Sequence, residues 1–145
     1  MAASATLFGK TAAGKFGLNE RASHAIWPGM GMKIYKILTR EQWDQARQTG
    51  MLKGAPVDLA DGFIHFSTAS QLAETARLYF VGMDDLILLG VDTERLGTSL
   101  KWEPSRGGDK FPHLYDVLRM EDVSLTIFLP LDDRGRHRFP PDIPQ

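Results

Sequence analysis

Apolar and polar positions first fall into a regular pattern at KIYKIL, Lys33 to Leu38, an alternating segment that reads as a strand. TREQ follows at once: Thr39 has the place of a helix N-cap and Gln42, three residues on, completes the spacing of a capping box. Leu38 before the cap can pack on Trp43 as a hydrophobic staple, and the helix runs to about Thr49, where Gly50 offers a left-handed stop. Met51 to Gly62, MLKGAPVDLADG, reads as a loop from its Gly, Pro and Asp content. FIHFST, Phe63 to Thr68, is the second predicted strand. Thr68 with Gln71 repeats the capping-box spacing and opens a second helix, in which Leu72, Ala76, Tyr79 and Phe80 share one face until Gly82 ends it.

DLILLGVD, Asp85 to Asp92, is almost continuously apolar and predicts a strand covered on both faces. TERLGTSLKW predicts a turn and a short strand, EPSRGGDKFPHLY an irregular stretch, and MEDVSLTIFLPL a last strand with Val123, Leu125, Ile127 and Leu129 alternating with more polar positions. The tail from Asp132, DDRGRHRFPPDIPQ, is polar and proline-rich and is expected to be loose. No internal repeat of useful length is present. The order is strand, helix, strand, helix and then mainly strands, which predicts a small mixed α/β or α+β domain rather than a doubly wound sheet.

Residues 1–32 stand apart from this pattern. They are rich in Ala and Gly, hold Glu20 as their one acidic residue, and keep neither period for long. They are read as a flexible N-terminal extension, native or expression-derived, with Met30 and Met32 as alternative starts, a weak helix around Ala12 to Phe16, and His24 as a solvated side chain. The folded domain is then 33–131, and 132–145 a polar C-terminal tail.

With 145 residues the chain is expected to form one folded domain that buries roughly two-thirds of its unfolded surface. A formal net charge of -1 argues against a protein that holds nucleic acid through bulk charge, although a small basic groove stays open. The absence of cysteine removes thiol nucleophiles, disulfides and cysteine-ligated metals. The four histidines show no HxH, HxxxH or HExxH spacing, so no metal site is expected. GxGxxG, Walker and GxSxG motifs are absent as well. The longest apolar runs are too short to span a bilayer, which leaves the cytoplasm as the default location and no membrane partner. The oligomeric state is left open.

Two polar concentrations carry candidate chemistry. In FIHFST a period of two puts Phe63, His65 and Ser67 on one face and Ile64, Phe66 and Thr68 on the other, the core side. His65 would flank a cleft near a helix N-terminus suited to phosphate or carboxylate, and imidazole adds a hydrogen bond, a cation or general acid/base chemistry. The alternative is that Thr68 is only an N-cap and His65 only structural. KWEPSRGGDKFPHLY, Lys101 to Tyr115, gathers Trp102, Glu103, Arg106, Gly107-Gly108, His113 and Tyr115, with Phe111, His113 and Tyr115 on one face if extended. Here the alternative is a surface loop that closes the core edge, with Glu103 and Arg106 as a solvated pair.

DGFIHFSTASQL followed by LKWEPSRGGDKFPHLY closely resembles the bacterial domain of unknown function 952 family, and the resemblance extends over about 33–131 to include IYKI and LILLGVD. It implies an α+β fold, a compact ADP-ribosyltransferase-like roll of two small mixed sheets with two main helices, and no established activity. The layout is also similar to that of the NAD-dependent RNA 2'-phosphotransferases: Tyr35 matches the tyrosine of their first strand, and His65 and Ser67 the histidine and serine of the second. Lys36 stands where histidine is usual there, Asp116 stands where glycine usually follows FPHLY, and Glu103 is a candidate for the late glutamate. These resemblances imply a nucleotide-like ligand, with NAD as cofactor and a nucleic-acid or protein phosphate or ADP-ribosyl group as the target of a transferase. The implied catalytic residues are His65 and Glu103. The implied ligand-binding residues are Tyr35, Lys36, Ser67, Thr68, Trp102, Arg106, His113 and Tyr115. A second expectation keeps the fold without catalysis, as a module binding a small ligand or a protein.

Overall fold

The computed structural model describes residues 32–143; the expectations for Ala12 to Phe16, His24 and Met30 lie outside the described residues. The chain forms β1 (Lys33–Thr39), α1 (Arg40–Thr49), β2 (Met51–Leu52), α2 (Pro56–Asp61), β3 (Ile64–His65), α3 (Ala69–Tyr79), β4 (Leu86–Asp92), β5 (Leu100–Pro104), β6 (Lys110–Leu114), β7 (Leu118–Arg119) and β8 (Val123–Leu129). The class is α+β, as expected, but there are three sheets and not two: β1-β4-β8, β2-β7 and β3-β6-β5. Every strand pair in them is antiparallel.

The central sheet explains the apolar run of β4. One of its faces presents Ile34, Leu38, Ile87, Leu89 and Val91 to α1 and to the inner side of the third sheet. The other presents Tyr35, Ile37, Leu86, Leu88 and Leu129 to Leu72 and Ala76 of α3. β4 is covered on both faces because it lies in the middle of this sheet. α1 starts with the predicted capping box: Thr39 Oγ1 accepts from the Gln42 N–H at 3.2 Å and Gln42 Oε1 from the Thr39 N–H at 3.0 Å. Gly50 ends the helix in the left-handed conformation, and Trp43 packs on the cluster that contains Leu38.

Four expectations are corrected. The segment read as a loop, Met51 to Gly62, contains β2 and α2; its helix begins with Pro56 in the first turn and stops at Gly62. The stretch read as irregular is the β5–β6 hairpin, closed by Ser105–Asp109 with Gly107 and Gly108 at positive φ. Tyr79 does not share the buried face of α3: it is 63% exposed, with the Arg106 guanidinium 5.8 Å from its ring, while Ala76 and Phe80 pack on the second core cluster. The C-terminal segment is docked rather than loose. Leu131 bridges His137, His137 Nε2 lies 2.7 Å from the Met83 carbonyl, and Ile143 is buried against the outer face of the central sheet with Phe139 packed beside it.

The outer side of the third sheet carries the candidate site.

Candidate functional site

Strand register decides what the third sheet offers. His65 is opposite His113 and Lys101 is opposite His113 on the other side, so these residues point the same way as Phe63, Glu103, Phe111 and Tyr115. Ile64, Leu114, Leu100 and Trp102 point the opposite way, into or against the first core cluster. Trp102 is thereby packing, on the other side of its strand from Glu103.

His65 is held by a residue that the sequence reading missed. Asp58, in the first turn of α2, is 1% exposed and accepts four bonds. Its Oδ1 takes the His65 Nδ1 at 2.6 Å and the His65 N–H at 3.1 Å. Its Oδ2 takes the Ala55 N–H at 2.7 Å and Lys36 Nζ at 2.8 Å. Burial pushes the Asp58 carboxyl up, but Lys36 above all, then His65 and the Ala55 amide, outweigh it and hold the group below its ordinary range. An ionised carboxylate only accepts, so the proton of the Asp58–His65 bond sits on Nδ1 and turns Nε2 outward. That nitrogen meets Asp61 Oδ2 at 2.9 Å. Gly54 makes the fit possible: a Cβ there would stand 2.7 Å from Asp58 Cβ, at a φ of +130°.

A second carboxylate is organised from β5 and β6. Glu103 Oε1 accepts from His113 Nδ1 at 2.8 Å and from the Tyr115 hydroxyl at 2.7 Å. These two bonds keep the Glu103 carboxyl below its ordinary value, and the same bond raises the Tyr115 phenol. Both donors meet Oε1, and Oε2 has no hydrogen-bond partner among the described residues. Glu103 and Arg106 do not form the expected pair. His113 is 4% exposed, stacked on Phe63 with 4.1 Å between ring centroids. Phe63 also meets His65 at 4.6 Å and Tyr115 at 5.2 Å, and the two histidine rings are 5.4 Å apart. His65 and Glu103 are thus joined through His113 and Phe63 into one constellation.

Beside it opens a cleft of about 340 Å³ whose walls include Leu59, Phe63, Leu114, Tyr115 and Val117, with Lys53 and Asp116 at its polar edge. It is an open depression with mainly apolar walls rather than an enclosed cavity.

The remaining predicted site residues separate from this constellation. Lys36 joins it only through Asp58 and is itself sealed from solvent, its side chain 8% exposed. Tyr35 points to the opposite face of β1, buried in the second core cluster, and burial raises its phenol. Ser67 does not share a site with His65, although a continuous strand would have put them on one face. β3 ends at His65, and Ser67 crosses to the central sheet, exchanging backbone bonds with Tyr35 at 2.8 and 2.9 Å. Its hydroxyl lies 3.0 Å from Thr75 Oγ1, and Arg106 Nη2 donates to the same Thr75 oxygen at 3.3 Å. Arg106 also covers the rings of Phe111 and Tyr79 at 4.8 and 5.8 Å. Thr68 caps α3; its N–H donates to Gln71 Oε1 at 3.0 Å, while Gln71 Nε2 ties the helix to the Lys110 carbonyl. Among the described residues no group of three His, Asp or Glu side chains is placed to hold a metal ion, and no helix is long and apolar enough to cross a membrane.

Residues 37–126 match the family described as Protein of unknown function (DUF952), and the chain belongs to that family. It is similar to the crystal structure of Protein CC0527 from Caulobacter crescentus, at 50% identity over 73% of this chain and 93% of that one, with a TM-score of 0.71. The solution NMR structure of CC0527 is similar at 51% identity over 72% of this chain and 90% of that one, with a TM-score of 0.66. No curated protein matches the chain.

Proposed function

We propose that the protein binds a nucleotide of the NAD or ADP-ribose type on the outer face of the third sheet and acts on it as a transferase, in a fold of the ADP-ribosyltransferase type. One observation carries the reading: Glu103 is hydrogen-bonded to His113 and Tyr115, and His65, held by Asp58, meets this group through ring contacts with Phe63 and His113, on the side of the sheet away from the core and next to the cleft. The cleft, walled by Phe63 and Tyr115, takes the planar ring. Glu103, ionised and with Oε2 unspent, stabilises positive charge developing at a ribose carbon, and His65 moves a proton at Nε2. Arg106, with most of its donors unspent beyond Thr75, is the cation for phosphate oxygens. The acceptor is a phosphate or ADP-ribosyl group on nucleic acid or protein.

Titration calorimetry with NAD and ADP-ribose tests the binding. Wild type is expected to bind and Arg106→Ala to bind at least about tenfold more weakly, the loss expected for one charge-assisted contact. Glu103→Gln, whose charge acts only in the transition state, is expected to bind about as well as wild type. No binding by wild type, or equal affinity in wild type and Arg106→Ala, refutes the assignment.

A second reading, a non-catalytic module on the same fold, is favoured by Lys36. It stands where the RNA 2'-phosphotransferases that the layout resembles usually have histidine, and Asp58 holds it in a buried ion pair. Incubation with NAD separates the two: nicotinamide release that disappears in Glu103→Gln supports the transferase, and binding without release supports the module.

A further inference from the structure

Asp61 has no part in the mechanism above, yet it occupies the one ring nitrogen through which His65 can meet a ligand. It is the last residue of α2, its side chain is 46% exposed, and its Oδ2 stands 2.9 Å from His65 Nε2. Among the described residues His65 is its only partner. The opposite nitrogen is fixed by Asp58, so the ring cannot turn away from Asp61 without breaking a buried bond of 2.6 Å. A phosphate or carboxylate seeking His65 therefore meets a carboxylate of the protein already in place.

The neighbouring charges reinforce this. The Lys36 ammonium is neutralised by Asp58 and faces inward. Glu103 lies on the same outer face beyond His113, and Asp116 edges the cleft. Of the cations here, Lys101 stands over the Tyr115 ring with Nζ 5.9 Å from the centroid, and Lys53 lines the cleft with Asp116. The exposed charge nearest His65 is negative.

We propose that Asp61 is a specificity-determining residue: it holds a negative charge against His65 Nε2, excludes anionic groups from it and reserves it for neutral, hydroxyl-bearing parts of a ligand. The inference rests on the reading that a nucleotide occupies this face, and it assigns His65 to sugar hydroxyls rather than phosphate. A hydroxyl suits the position because it can donate to Asp61 while Nε2 serves as donor or acceptor. A phosphate would have to displace Asp61 and remain beside its charge.

Alkylation of the intact protein tests the screen without any nucleotide. The chain has no cysteine, so iodoacetamide, neutral, and iodoacetate, anionic, can be compared at histidine by peptide mass mapping. His137, bonded to the Met83 carbonyl in the C-terminal segment, is the internal reference. The rate ratio of iodoacetamide to iodoacetate at His65, normalised to His137, is expected to be about fivefold higher in wild type than in Asp61→Asn, the factor one unit charge gives at about 4 Å in water. The ratio is expected to rise back toward the wild-type value at low ionic strength in Asp61→Glu, which restores the charge. Equal ratios in wild type and Asp61→Asn overturn the proposal, even if both reagents react faster in the variant, since Asp61 would then be only a steric cover. Failure of NAD to bind wild type leaves this ratio unaffected, so the two readings fail separately.

Discussion

The central sheet and the third sheet are both three-stranded and antiparallel, yet they use their faces in opposite ways. β1-β4-β8 is apolar on both sides, one toward α1 and the third sheet, the other toward α3 and Ile143. β3-β6-β5 is apolar on one side only; the other gathers His65, His113, Glu103 and Tyr115 around Phe63. The difference teaches that polar residues in a strand do not mark it as a solvent face. His113 is 4% exposed and Asp58 1%; Asp58 is bonded through both oxygens and His113 through Nδ1. Such a network offers little stability over an apolar face of the same volume, and leaving any member unpaired is expensive. Lys36 is where the two regions meet: it leaves the buried side of β1 and ends on the aspartate that orients His65.

Breaking that junction should have the largest effect. Asp58→Ala leaves Lys36 buried without a counter-charge and is expected to cost about 3–5 kcal/mol, measured by urea unfolding. Next comes the apolar region alone. Leu88, fully buried at the middle of β4, should cost about 3 kcal/mol as Leu88→Ala, with ligand binding by the remaining folded protein unchanged. The acid limb of stability separates the regions further. Because Asp58 is held below its ordinary value, the unfolded chain takes up its proton first as pH falls. The stabilisation is therefore complete above the unfolded value of about 4 and is lost as pH drops through the folded one. Chemical unfolding between about pH 6 and 3 should show this slope in wild type and a flatter one in Asp58→Asn. The smallest effect belongs to the site's exposed edge. Tyr115→Phe removes one donor from Glu103 and should move the thermal midpoint by less than about 2 °C, while weakening NAD binding.

Much of the central sheet was legible because its signals are local. The all-apolar LILLGV requires cover on both faces, and Thr39 with Gln42 forms the helix start its spacing demands. His65, His113, Glu103 and Tyr115 could be singled out by residue type and strand parity. Their partners could not. Asp58 sits in a stretch read as a loop, although Pro56 before it and Gly62 after it are the start and stop signals of a short helix. Parity also failed at Ser67, because the strand changes sheets after His65 and its hydroxyl turns to Thr75. The docking of Ile143 depends on a groove made by elements far away in the chain, which composition does not report.

The central claim is that His65 receives a nucleotide on the outer face of the third sheet. Thermal unfolding of wild type and His65→Ala with NAD and with ADP-ribose tests it most directly, each protein compared with its own ligand-free midpoint. At about one hundred times the dissociation constant the ligand should stabilise wild type by roughly 2.7 kcal/mol, a rise of several degrees. The account predicts that rise in wild type and its loss in a folded His65→Ala protein. An equal rise in both proteins, or none in wild type with either ligand, would contradict it.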